Sequence, residues 1–166
     1  MSMLQDVIAR LRDTVTGFRE DEPLMAAAVS AAALVITADG EIAQEEVNVA
    51  LADLITEPTL HAKYQPSALA QQLGLAIERA CTSDGRGANL AMVSAIVDRP
   101  IDERNNVLLI AIDVAIARQG INADEDKMLS QLADQLAVDK VALIAAAKAQ
   151  RLVTGERVEL GDATHG

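Results

Sequence analysis

An all-α fold is predicted, a compact bundle of about seven to eight helices that includes two related helix-turn-helix units. Three observations predict it. Hydrophobic residues make up 51% of the chain but aromatic residues only 1%, so alanine must supply much of the packing. Small side chains let helices approach closely, whereas a sheet draws on aromatic and β-branched residues. Apolar positions recur at helical spacing along most of the chain. Finally, Gly40 and Gly120 each stand between an apolar run and an acid-led amphipathic run, as expected of a repeated helical hairpin. A chain of 166 residues suits one domain with a core of its own.

Residues 1–20 form an amphipathic helix on this pattern, with Leu4, Val7, Ile8, Leu11 and Val15 on one face and Gln5, Arg10, Arg12 and Asp13 elsewhere. The charges interrupt any signal-peptide core. Docking on the chain's own domain is the simplest role for such a helix. The main helical domain is expected over residues 23–152. Its first helix, Pro23 to Ala38, is apolar almost all round and should lie at the centre. An acidic turn follows, and then a helix whose inner face carries Val47, Ala50, Leu51, Leu54 and Ile55 and which Pro58 stops. The stretch from Glu57 to Pro66 reads as an irregular connection with room for one helical turn. His61 within it is expected to be solvated.

Leu69, Leu73, Ile77, Ala80 and Cys81 mark the next helix, from Ser67 to about Ser83. Cys81 is expected to be a buried thiol, because a lone cysteine has no disulfide partner and free cysteines are usually buried. Asp84-Gly85-Arg86-Gly87 reads as a plain bend, since a phosphate loop needs more glycines and a Lys-Ser/Thr pair. A short helix carries Leu90, Val93, Ile96 and Val97. Beyond Pro100, an acid-capped helix runs to about Gln119 and is apolar from Val107 to Ala117 except at Asp113, so it is a second central helix. Asp113 then needs either a polar edge shared with Asn106 or a role facing the acidic turn. Asn122 and Glu125 make a capping box for the helix bearing Met128, Leu129, Leu132, Ala133 and Leu136. A last helix starts at Val138-Asp139 and ends near Leu152. Residues 153–166 are expected to form a flexible tail.

The acidic turn, Ala38-Asp39-Gly40-Glu41-Ile42-Ala43-Gln44-Glu45-Glu46, is the first candidate site. Its acids complement the positive end of the following helix and favour solubility. Hard oxygen ligands around a bend also suit a divalent cation, calcium or magnesium better than zinc. An EF-hand loop does not fit, because its opening ligand position would fall on Val35. A cation here must draw ligands from more than one helix. Asp39, Glu41 and Glu46, with Asp113 or Asp124 from across the bundle, form the candidate metal set. The second turn departs from the first: Ala38-Asp39-Gly40 becomes Arg118-Gln119-Gly120. Setting glycine on glycine is one register for the two units. Setting Ile42 on Ile121 is another and needs a gap of one residue.

A net charge of −11 opposes attraction to nucleic acid or anionic lipid and favours cations or basic protein surfaces. The apolar run from Leu24 to Ala38 is too short to span a bilayer, so a soluble cytoplasmic protein is expected. An enzyme is not indicated, since there is no Ser/His/Asp arrangement, no ligating His pair and no phosphate loop. A carboxylate-metal hydrolase is the form an enzyme would take.

Ala38-Asp39-Gly40-Glu41-Ile42 with Glu45-Glu46, then Gly120-Ile121-Asn122-Ala123-Asp124-Glu125 in a second helical hairpin, resembles the tellurite-resistance protein B (TerB-like) family over about Met25 to Leu143. The segment Pro100-Ile101-Asp102-Glu103-Arg104, opening the helix before the second turn, adds to the likeness. The resemblance implies a helical, adaptor-like protein of bacterial stress response and tellurite resistance. Its partners would be other proteins of a membrane-associated resistance complex, met in the cytoplasm or at the inner membrane face. Some family members are associated with divalent metal. An acidic surface has nothing to attract the tellurite anion itself. A metal-independent scaffold that binds a partner helix or a basic segment is the alternative function.

Overall fold

The computed structural model describes residues 21–118 and 120–164, with side chains to Leu152. The amphipathic helix expected within residues 1–20 lies outside the described residues. Eight helices and no strand occur among those described. They are α1 (Glu22–Ile36), α2 (Gln44–Thr56), α3 (Pro58–Lys63), α4 (Pro66–Ala80), α5 (Ser83–Ser94), α6 (Ile101–Ile116), α7 (Ala123–Leu136) and α8 (Lys140–Thr164). The all-α bundle read from composition and periodicity is thus the architecture found.

Helix α1 is the hub, buried from Leu24 to Ile36 except at Ala26. Alanines 27, 28, 31, 32 and 33 present almost no bulk, which lets α4, α5 and α6 all close on this one rod. Helix α6 is the second central element. It buries Val107, Leu108, Ile110, Ala111, Ile112, Val114 and Ala115 and is flanked by α1, α2, α7 and α8. Fully buried Leu34, Leu54, Leu108, Ile112 and Leu129 join these helices into one core, each contributing about 1.5–3 kcal/mol by leaving water.

Ser30 and Asn89, two polar side chains inside this core, are partnered. Asn89 donates to the Ala76 carbonyl (3.0 Å), while its Oδ1 accepts from Arg79 Nε (3.0 Å) and from Ser30 Oγ (3.4 Å). Arginines close helix ends. Arg104 Nη1 donates to the Leu136 and Ala137 carbonyls at the end of α7, and Arg151 Nη1 donates to the Ile116 carbonyl at the end of α6. Each thereby satisfies a carbonyl the helix cannot pair internally.

Four local expectations change. Pro58 does end α2, but it also opens α3: Glu57 accepts from the Leu60 N–H (2.9 Å) as the cap, and proline is preorganised for a first helical turn. Residues Asp84 to Gly87 are not a bend. They begin α5 behind the Thr82 cap, whose hydroxyl accepts from the Gly85 N–H (3.0 Å). Gly85 is needed there because a Cβ would overlap the Arg79 carbonyl. Cys81 is exposed, its Sγ directed to the Ile77 carbonyl. The buried stripe of α4 is Leu69, Leu73, Ala76 and Ala80, and Cys81 falls one position past it, turned away by the helical twist. Helix α8 runs on to Thr164 rather than ending near Leu152. His61 is exposed, as expected, with Nδ1 beside the Ile55 carbonyl. Among the described residues no helix is long and apolar enough to cross a membrane.

Candidate functional site at the paired turns

The two interhelical turns lie side by side. In the first, Gly40 takes a left-handed conformation (φ +83°) after Thr37 closes α1, and in the second Gly120 does the same (φ +96°). Such values admit glycine readily and other residues only under strain. Asp39 ties the turns together: Oδ1 accepts from the Glu41 N–H (3.0 Å), and Oδ2 accepts from Asn122 Nδ2 in the second turn (3.3 Å). Arg118 reaches back across the gap to Glu41, Nη1 to Oε2 4.0 Å.

The cap geometry settles the register of the repeat. Ala43 is the N-cap of α2 and Asn122 the N-cap of α7. Glu46 and Glu125 are therefore both the third residue of their helices, and both follow an isoleucine by four positions. The correspondence is isoleucine on isoleucine, with Glu41 as the additional residue of the first turn. Asn122 caps its helix through a complete capping box: its side chain accepts from the Glu125 N–H (2.8 Å), and Glu125 Oε1 accepts from the Asn122 N–H (3.3 Å). Ala43 makes no side-chain cap, so in α2 only half of this device is present.

Between the turns opens a cleft of about 380 Å³ lined by Asp39, Glu46, Arg118, Gly120, Ile121, Asn122 and Glu125. Glu46 and Glu125 are each only 4% exposed, unusual for carboxylates without a buried cation beside them. With Glu125 Oε1 committed to the cap, its Oε2 is buried without a hydrogen-bond partner. Burial raises the Glu46 carboxyl to about 7, aided by the charges of Glu125, Asp39 and Glu45 and opposed by Arg118. Glu125 is also raised, first by burial and then by Asp39, against the Asn122 backbone hydrogen bond and Arg118. The cleft is thus a place where negative charge is crowded and incompletely compensated.

Of the acids expected to form a metal set, Asp39 and Glu46 line this cleft. Glu41 stands at its edge on Arg118. Asp124, in the first turn of α7, is exposed and does not line it. Asp113 lines a different cleft, of about 340 Å³, formed with Asp53, Val49, Ala147, Gln150 and Arg151. There Asp113 and Asp53 share a hydrogen bond, and Asp53 is raised to about 8 by burial first, then by that bond and the Asp113 charge. Asn106 lies along the same edge and donates to Glu57 (3.5 Å), so Asp113 occupies the polar edge that its spacing from Asn106 suggests. Glu125 is the site residue that spacing alone presents as a cap. Its signal was the isoleucine register, which pairs it with Glu46. The oxygen donors of Asp39, Glu46 and Glu125 suit a hard cation. Among the described residues, however, no three acidic, imidazole or thiol groups converge closely enough to hold a metal ion.

What fold and site define is a class: an all-α bundle with two related hairpins whose turns enclose an acidic, partly uncompensated cleft. No family model matches the sequence, and no curated protein or solved structure matches it.

Proposed function

We propose that the chain is a non-enzymatic helical adaptor of the kind the TerB-like resemblance implies, acting in bacterial stress or tellurite resistance, and that the cleft between its turns receives a positively charged group. The observation that carries this reading is the pairing of Glu46 and Glu125, buried at equivalent positions of two helices and left with an unpartnered oxygen. A structural core has no use for two such carboxylates, because burial without a partner costs stability. A ligand that brings positive charge removes that cost.

A second reading is favoured by the donor chemistry. Three carboxylates, Asp39, Glu46 and Glu125, line one cleft, and calcium or magnesium takes such oxygens. Closure of the cleft on the ion would be required, with Glu41 available from the rim. Calorimetric titration of chelator-treated protein with Ca²⁺, Mg²⁺ and Zn²⁺ tests it beside Glu46→Gln and Glu125→Gln variants. Saturable binding lost in either variant supports a metal-dependent adaptor. Binding retained in both removes the cleft from the metal reading.

A further inference from the structure

Resting on the reading of the cleft as a receiver of positive charge, we infer that its ligand is the lysine or arginine side chain of a basic, partly apolar segment of a partner protein. Three observations support this partner chemistry. The unpartnered Glu125 Oε2 is an acceptor without a donor, and ammonium and guanidinium groups bring several N–H donors with their charge. A carboxylate's terminal torsion is soft, so turning Glu125 can exchange which oxygen holds the cap and which meets the ligand. The cleft already borders one guanidinium, that of Arg118, which shows the chemistry its walls tolerate. That contact is loose at 4.0 Å and Arg118 is exposed, so it competes weakly with an incoming base.

The rim supplies the apolar half of the recognition. Ile42, 52% exposed, is carried by the acidic turn, while its counterpart Ile121 is half-buried in the wall. An exposed isoleucine on the same turn as the cleft-lining Asp39 matches a segment in which an apolar residue neighbours the base, with the base as anchor and the aliphatic contact at its edge. Asp39 in the lining, with Glu41 and Glu45 on the acidic turn and the start of α2, adds further negative charge, and the overall charge of −11 speeds the encounter with a basic segment. A bare metal ion would use none of the apolar rim.

The test uses the whole chain and a fluorescein-labelled peptide of alternating arginine and leucine, compared with the same peptide carrying uncharged citrulline for arginine. Fluorescence anisotropy should show saturable binding of the arginine peptide, weakening with salt, and at least about tenfold weaker binding of the citrulline peptide. Glu125→Gln and Glu46→Gln should each weaken the arginine peptide by about tenfold, with folding checked by circular dichroism. The exposed substitutions Ile42→Ser and Arg118→Gln give readouts that do not disturb the core. The first should weaken binding several-fold, and the second should tighten it by removing the tethered competitor. Equal affinity for the glutamine variants and the native chain overturns the inference, leaving only diffuse surface attraction. Saturable binding of Ca²⁺ or Mg²⁺ with no peptide binding overturns the inference but keeps the cleft as a receiver of positive charge. Failure of both peptide and ions overturns the inference and the underlying reading together.

Discussion

Replacing Glu46 by glutamine should stabilise the protein at neutral and alkaline pH and flatten part of its pH profile. Glu46 has a folded-state value of about 7 against an ordinary 4.5. Between these two values the folded chain binds more protons than the unfolded one. Stability therefore falls as pH rises through that window, and the cost is complete above pH 7. At about 1.4 kcal/mol per pH unit the ceiling is about 3 kcal/mol. The cleft is open to water and Arg118 offsets part of the repulsion, so about 1–2 kcal/mol is the working magnitude. Glutamine keeps the shape and cannot ionise. Urea unfolding of both chains from pH 4 to 8 gives the profile directly, with carboxyl-carbon NMR following Glu46 itself. Coincident profiles, or a variant less stable than the native chain at pH 8, would refute the assignment of burial and like charge as the cause.

Three other outcomes follow from named contacts. Asp53→Asn should raise the melting temperature above pH 8: the Asp53 carboxyl, lifted from 3.8 to about 8, is forced to ionise beside Asp113 there. The native chain loses stability as pH climbs through that range, and calorimetry at pH 9 should show the variant melting a few degrees higher. Gly85→Ala should destabilise by about 2 kcal/mol or more in denaturant melts, because the new Cβ overlaps the Arg79 carbonyl and α4 and α5 must separate. Ala137→Gly should do the opposite. Ala137 ends α7 at φ +54°, and glycine there should add about 0.5–1 kcal/mol.

The parts of the fold legible in the sequence were those set by periodicity over many residues. Helices α1 and α6 declare themselves as central because they are apolar on nearly every face, and α7 because Asn122 and Glu125 announce its start while its apolar positions keep one stripe. The parts missed were decided by single contacts at helix ends. Nothing local to Asp84-Gly85-Arg86-Gly87 says that Gly85 is there to let the Arg79 carbonyl approach, so two glycines read as a bend. Cys81 stood one position beyond a buried stripe, and one residue of helix moves a side chain by roughly 100°. Asp53 gave no signal of its own, because its carboxyl is raised first by burial and then by Asp113, and both come only from the packing of α2 on α6.

The candidate site has the same division between what repeats and what differs. Two hairpins with a left-handed glycine, an isoleucine and a glutamate at the third helical position would, if identical, place two equal acids across the cleft with the same surroundings. The turns break that equivalence. The first brings Asp39 and the additional Glu41, while the second brings Arg118 and the capping Asn122. Asp39 is consequently bound to the opposite turn and holds the cleft's width, whereas Arg118 supplies its one lining cation among the described residues. Glu125 is fixed by its cap, and Glu46, whose helix lacks a capping side chain, is the carboxyl lifted to about 7. The repeat builds the cleft, and its departures from symmetry give the two glutamates different parts: Glu125 holds the cap with one oxygen and offers the other to an incoming positive charge, while Glu46 supplies the carboxyl whose ionisation that charge would favour.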